Sequence, residues 1–150
     1  MKLLKVTQSF SGNTLELSEL IEKNLLELNS SLTIDNINLK RKQRINLTND
    51  TNYDMILLGT FTWGKGEVHT DMQQFFVDNI QILRNTNVAY FGTGDTQFGG
   101  DLLFCNALDV LHSKAPSIFP LLKIEQSPRG SQEDKVRQWC KTILKKGENA

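Results

Sequence analysis

Apolar positions along the chain fall into two alternating rhythms. Residues 2–7 (KLLKVT) and the stretch with Leu32, Ile34, Ile37 and Leu39 carry short apolar runs and read as strands, the second with imperfect alternation. Between them Leu15, Leu17, Leu20, Ile21, Leu25 and Leu28 recur at helical spacing, with Glu16, Glu19, Glu22 and Lys23 on the opposite face. Asn13 or Thr14 suits the N-cap of that helix, and Asn29-Ser30-Ser31 its end. Residues 54–60 (DMILLGT) and 87–92 (NVAYFG) are nearly continuous apolar runs, as expected of strands covered on both faces. Each is followed by a Gly-rich segment and then a helical pattern. The first pattern runs through Met72, Phe75, Phe76, Ile80 and Leu83, the second through Leu102, Leu103, Cys105, Ala107, Leu108 and Leu111. A final strand is expected from Ile118 to Ile124. A final helix is expected from Asp134 to Lys146, with Val136, Trp139, Cys140, Ile143 and Leu144 inward. Pro116, Pro120 and Pro128 fall near the ends of these last elements.

The predicted order is β-α-β-β-α-β-α-β-α, with a loop or short helix joining the second and third strands. Strands alternating with helices predict an α/β fold, a doubly wound parallel sheet with helices on both faces. No internal repeat or low-complexity linker interrupts it. At 150 residues the chain fits one domain over 1–150. Such a chain buries roughly 70% of its unfolded surface, enough for a core without metal or disulfide staples.

Charge narrows the function classes. Lys plus Arg and Asp plus Glu are 17 each, so the formal net charge is zero. There is no basic excess to drive nucleic-acid binding and no acidic, disordered composition. No apolar run approaches the roughly 20 residues that span a bilayer, and Leu3, Leu4 and Val6 are too short a cluster for a signal peptide. A cytoplasmic protein is expected, without membrane or nucleic-acid partner. Cys105 and Cys140 show no metal-ligand spacing and read as ordinary half-buried thiols. His69 and His112 read as surface helix residues, and no residue qualifies as a nucleophile, general base or metal ligand. Lys40–Arg44 places four cations in five residues, either a solvated loop or a patch facing a partner.

Seven of the ten glycines lie in two windows, 59–66 and 92–100. Glycine clusters where the backbone takes positive φ or approaches a ligand closely. In a doubly wound sheet, the loops after the carboxyl ends of the strands form the ligand crevice. Three such loops stand out. Ser9-Phe10-Ser11-Gly12-Asn13-Thr14 offers hydroxyls, an amide and the free N–H groups of a helix N-terminus, the makings of a phosphate cradle or a plain capped turn. It holds no Lys or Arg and fits neither GxxxxGK[ST] nor GxGxxG, so a small phosphate monoester suits it better than a nucleoside triphosphate with magnesium. Gly59-Thr60-Phe61-Thr62-Trp63-Gly64-Lys65-Gly66-Glu67 sets a Trp between glycines, a flat face for stacking. Gly92-Thr93-Gly94-Asp95-Thr96-Gln97-Phe98-Gly99-Gly100 does the same with Phe98. Two aromatic residues on adjacent loops can sandwich a planar ring, with glycine backbone meeting its polar edge.

Together SFSGNT, YDMILLGTFTWGKGE and FGTGDTQFGGDLLFCNALDVL resemble the three ligand loops of the flavodoxin family, in the family's order and spacing, over most of the chain. With no insertion in the last strand, the chain resembles a short-chain flavodoxin. The resemblance implies a five-stranded sheet in the order 2-1-3-4-5, noncovalently bound FMN, and a low-potential one-electron carrier rather than an enzyme. It implies a monomer that passes electrons between a flavodoxin reductase and acceptor enzymes. By the same resemblance, Ser9, Phe10, Ser11, Gly12, Asn13 and Thr14 form the phosphate loop. Thr60, Phe61, Thr62, Trp63, Gly64, Lys65 and Gly66 form the second cofactor loop, with Trp63 on the inner ring face. Thr93, Gly94, Asp95, Gln97, Phe98 and Gly99 form the third, with Phe98 on the outer face, where the family often has Tyr. The Gly64–Lys65 peptide matches the one that flips on reduction in the family.

Two features depart from the family pattern. The chain is neutral where flavodoxins are usually acidic, and Lys65 stands where an acid is frequent. The third loop is also longer, which suggests partner or substrate entry. Both departures keep a rival open: the flavodoxin-like activator of manganese-dependent class Ib ribonucleotide reductase, which shares the fold and FMN and acts on a reductase subunit. A flavodoxin-fold module that binds a protein partner without cofactor is the alternative from another class. Residues 51–100 hold Asp54, Glu67, Asp71, Asp78 and Asp95 against Lys65 and Arg84, so neutrality is the sum of a mildly acidic loop region and basic segments elsewhere.

Overall fold

A computed structural model of the chain describes residues 1–48, 52–97 and 99–149. Its elements in chain order are β1 (Lys2–Thr7), α1 (Asn13–Leu28), β2 (Thr33–Asn38), β3 (Met55–Trp63), β4 (Glu67–Val68), α2 (Thr70–Asp78), α3 (Ile80–Asn85), β5 (Val88–Gly94), α4 (Gly100–Leu103), α5 (Asn106–Lys114), β6 (Leu122–Glu125) and α6 (Ser131–Glu148). Five strands run parallel in the order β2-β1-β3-β5-β6, and the two-residue β4 folds back antiparallel on β3. In strands counted without β4 this is the order 2-1-3-4-5, as the sequence implied.

The near-continuous apolar runs lie at the centre because alternate side chains serve opposite faces. Met55 and Leu57 of β3 join Leu17, Ile21 and Leu25 of α1 and Val136, Trp139, Cys140 and Ile143 of α6 in one core layer. Ile56 and Leu58 join Met72, Phe75 and Phe76 of α2 and Leu108 and Leu111 of α5 in the other. The register Val6↔Leu58↔Tyr90 carries this division across the three central strands. Buried Tyr90 donates its hydroxyl to the Ala115 carbonyl at 2.7 Å. Among the described residues, every buried side-chain nitrogen and oxygen has a hydrogen-bond partner.

Several boundaries differ from the sequence reading. The helical pattern from Met72 to Leu83 is two helices, broken at Asn79. The Asn79 side chain donates to Ile45 O and Phe75 O, both at 2.8 Å, and accepts from Leu47 N at 2.7 Å, so it staples the incoming loop at the break. The pattern from Leu102 to Leu111 is also two helices, separated at Phe104–Cys105, with Cys105 at φ 51°. The last strand begins at Leu122, not Ile118, because Pro116 and Pro120 lack N–H groups and Phe119 N donates to Ser117 Oγ in a turn. Neither histidine is a plain surface helix residue. His69 is the N-cap of α2, and His112 accepts from Ser117 N at 3.1 Å and meets Tyr90 edge-on.

Lys5 is the one charged side chain in the core among the described residues, 2% exposed on β1. Its ammonium donates to Ser18 O at 2.7 Å and pairs with Glu22 at 3.1 Å, both on α1. Burial lowers the Lys5 pKa, only partly offset by Glu22. Burial opposes ionisation of Glu22, but hydrogen bonds from Asn36 and Lys5 outweigh it and hold the carboxyl below its usual range. The contribution of Glu22 is therefore complete above its unfolded-state pKa of about 4.3 and is lost as pH falls through the lower folded value. Glu22→Gln is expected to lower the unfolding free energy by about 1–2 kcal/mol at pH 7, because it strands a buried ammonium beside a half-exposed amide. Urea titrations should show the difference shrinking toward pH 3; an equal gap at both pH values would contradict the pairing.

Cys105 and Cys140 are fully buried rather than half-buried, and burial pushes both thiols up to about 12. Neither is expected to react with a disulfide reagent at pH 8 while the protein is folded, and both should react in denaturant. Rapid native labelling of either would show that the layer it packs in opens.

Candidate functional site

The carboxyl ends of β1, β3, β5 and β6 deliver four loops to one edge of the sheet. Ser9 to Gly12 lead into α1. Gly12 is at φ 97° as the N-cap, a left-handed conformation that suits glycine, and no side chain caps the helix. Gly12 N donates to Ser9 Oγ at 3.0 Å. Thr14, in the first turn, shares a 2.7 Å hydroxyl hydrogen bond with Thr93 at the end of β5. That contact ties the first loop to the third across the crevice.

The second loop is tighter than the sequence suggested. β3 continues through Thr60, Phe61 and Thr62 to Trp63, and Gly64, Lys65 and Gly66 form the turn into β4. Gly64 and Gly66 take φ 53° and 86°. The turn is pinned by Asn106, which donates to Gly66 O at 2.7 Å, and by Ala107 N, which donates to Thr62 Oγ1 at 3.2 Å. Trp63 thus stands at the end of an anchored strand with 42% of its surface open. Phe10, Phe61 and His69 surround it at ring-centroid distances of 5.4, 6.0 and 5.1 Å, all edge-on to the indole. His69 is itself held: Gln8 Nε2 lies 3.0 Å from its Nδ1, which also accepts from Asp71 N at 3.2 Å.

In the third loop, Asp95 accepts from Gln97 N at 2.9 Å and from Gln126 Nε2 at 3.3 Å. Gln126, just past β6, donates its backbone N–H to Gly94 O at 2.7 Å.

Between the loops lies a cleft of about 450 Å³, lined by Phe10, Ser11, Asn13, Phe61, Thr62, Trp63, Gly64, Thr93, Gly94, Asp95 and Gln126. Its size suits a small organic ligand. Ten of the residues expected from the sequence converge here. Thr14 and Thr60 lie beneath it, buried, and Gly66 is buried in the turn. Ser9 lines the adjoining cleft rather than this one. Gly12, Lys65, Gln97 and Gly99 are exposed and outside its lining. Phe98 lies outside the described residues. Gln126 was missed by the sequence reading, which weighed the loops after only three strands; its one signal is its place after the last strand. The neighbouring cleft of about 380 Å³ includes Gln8, Leu39, Arg41, His69 and Asp71, also unassigned from sequence. Among the described residues no group of His, Cys, Asp or Glu could hold a metal ion, and no helix is long and apolar enough to cross a membrane.

The residues present fit FMN. A helix N-terminus with neutral hydroxyl donors suits a phosphate monoester, and the half-exposed indole beside glycine backbone suits a planar, polar-edged ring. Comparison with known proteins agrees. The flavodoxin family profile matches residues 6–139. Probable flavodoxin 2 of Bacillus subtilis is 31% identical, over 97% of this chain and 95% of that protein. Probable flavodoxin 1 of the same organism is also 31% identical, over 88% of this chain and 82% of that protein. The crystal structure of oxidised flavodoxin 1 from Bacillus cereus superposes with a TM-score of 0.80 at 27% identity, covering 97% of this chain and 98% of that one. With the fold, the loop order and these relatives in agreement, the chain belongs to the flavodoxin family, whose members bind FMN and carry electrons between redox partner proteins.

Proposed function

We propose that this protein is a low-potential one-electron carrier that shuttles between a reductase and acceptor enzymes in the cytoplasm, with FMN held in the cleft beside Trp63. The observation that carries this reading is the convergence of an N-terminus of α1 without a side-chain cap, a half-exposed Trp63 and the Gly64 and Gly94 backbone on one cleft. FMN supplies the one-electron chemistry when bound. The hydroxyls of Ser9, Ser11 and Thr14 and the first N–H groups of α1 hold the phosphate without a cation. Trp63 stacks on one face of the ring, and its position is fixed by β3 and the Asn106–Gly66 bond. Phe61 lines the same wall. The Gly64–Lys65 peptide and the backbone of Thr62, Gly94 and Asp95 meet the ring edge. Two free, buried thiols suit a reducing compartment.

Asp95 and Glu67 beside the cleft disfavour added negative charge there, while exposed Lys65 favours it. The low potential is therefore expected to be less negative than in acidic relatives.

Two variants test the assignment. Trp63→Ala is expected to weaken FMN binding about 10- to 100-fold, the worth of one aromatic stacking contact, read by fluorescence titration of the protein freed of cofactor. Unchanged affinity would remove Trp63 from the ring face. Lys65→Glu is expected to move the second-electron midpoint potential more negative by on the order of tens of millivolts, as a solvent-screened charge reversal should. An unchanged or higher potential in optical potentiometry would overturn the role of Lys65.

A further inference from the structure

The basic segment after β2 is a built turn. Leu39 N donates to Thr7 O at 2.8 Å, which anchors its start to the carboxyl end of β1. Gln43 closes the turn twice: its N–H donates to Lys40 O at 3.1 Å, and its side-chain oxygen accepts from Lys40 N at 3.0 Å. Lys42 takes φ 58°, a left-handed conformation rare for a residue with a side chain. Arg44 is spent on structure, because its guanidinium grips Asp78 of α2 through two hydrogen bonds of 2.8 and 3.0 Å. This forked contact holds the Asp78 carboxyl below its usual range. Lys40, Arg41 and Lys42 remain, all exposed. Among the described residues no carboxylate pairs with any of them.

The turn also sits beside the cofactor cleft. Arg41 lines the adjoining groove with Phe10, Trp63 and His69. Asp71 is in that groove too, but it faces His69 Nδ1 at 3.7 Å. Phe10 lines both clefts and is 73% exposed, a large apolar side chain at the boundary between them. Across the cleft Asp95 is in the lining, and the exposed β3–β4 turn carries both signs, Lys65 two residues from Glu67. The β2 side of Trp63 therefore carries a cluster of one sign, while the side across the cleft carries both. A uniformly basic partner would meet three unpaired cations there, and such like-charge contact is unfavourable.

We propose that Lys40, Arg41 and Lys42, with Phe10 as the apolar contact, form the docking surface for an acidic face of a redox partner protein, beside the cofactor cleft. This rests on the electron-carrier reading for its purpose, while the surface itself rests on charge and placement. The cations steer the encounter, and the exposed phenyl ring loses water on contact.

The test uses the FMN-loaded, nitrogen-15-labelled protein, titrated by NMR at low ionic strength with cytochrome b5, an acidic haem protein, and with cytochrome c, a basic one. Cytochrome b5 is expected to shift the amides of residues 40–43 and Phe10. The K40E/R41E/K42E variant should weaken that binding at least about tenfold, with its thermal midpoint nearly unchanged, and added salt should abolish it in the wild type. Tighter binding of cytochrome c would overturn the proposal, as would cytochrome b5 shifts confined to other surfaces. Equal shifts of the same amides by a short DNA duplex would also overturn it, by showing an unselective anion patch. Oxidation of the reduced protein by a small neutral quinone needs no docking surface and reports the carrier reading separately. Its failure alongside intact cytochrome b5 binding would remove the carrier reading and leave the docking surface standing.

Discussion

β3 and β5 meet at their carboxyl ends with no room for a single added methyl group. A Cβ on Gly59 would stand 2.1 Å from the Phe91 ring, and one on Gly92 would stand 2.4 Å from the Thr60 carbonyl oxygen. Both contacts are far inside van der Waals separation, so these positions need a residue without a side chain. Phe91 thereby packs across the β3 backbone into the layer of α1 and α6, meeting Trp139 edge-on at 6.3 Å. The ends of the two central strands lie in register there, Phe61 opposite Thr93. The second and third ligand loops start from that shared line.

Rigidity around the cleft comes from polar contacts that cross between elements. Thr14 with Thr93 joins α1 to β5, Asn106 with Gly66 joins α5 to the β3–β4 turn, and Gln126 with Gly94 joins the end of β6 to β5. Each satisfies a group that would otherwise be short of a partner near the sheet edge. Trp63 can remain 42% exposed because its strand, not its ring, anchors it. Such contacts hold the walls of the cleft in place around the exposed Gly64–Lys65 turn.

Zero net charge conceals a local cluster of one sign. Paired charges such as Arg44–Asp78 and Lys5–Glu22 lock elements together. Lys40, Arg41 and Lys42 are left unpaired in one turn beside the cleft, whereas the β3–β4 turn mixes Lys65 with Glu67. A net total cannot reveal a local cluster of one sign, and the placement of β2 beside β1 is what sets this cluster next to the cleft.

Much of the fold was legible in the residues. Continuous apolar runs identify the central strands, helical spacing identifies α1 and α6, and a parallel sheet obliges every strand-to-helix loop to leave from the same edge. The three loops carrying SFSGNT, TWGKGE and GTGDTQF were therefore readable as neighbours before any contact was known. Helix breaks were not, because Asn79 leaves the helical pattern to satisfy backbone groups at Ile45 and Leu47, some thirty residues away in sequence. β4 has two residues, too few for any periodicity. By itself the sequence determined the element types, their order and the chemistry of the loops, since these follow from local spacing and composition. Only the tertiary structure decided that Gln126 joins Asp95, that His69 and Phe10 flank Trp63, and that Arg41 stands beside them. These contacts join residues remote in the chain, and they depend on strand register and turn conformation, which no local pattern encodes.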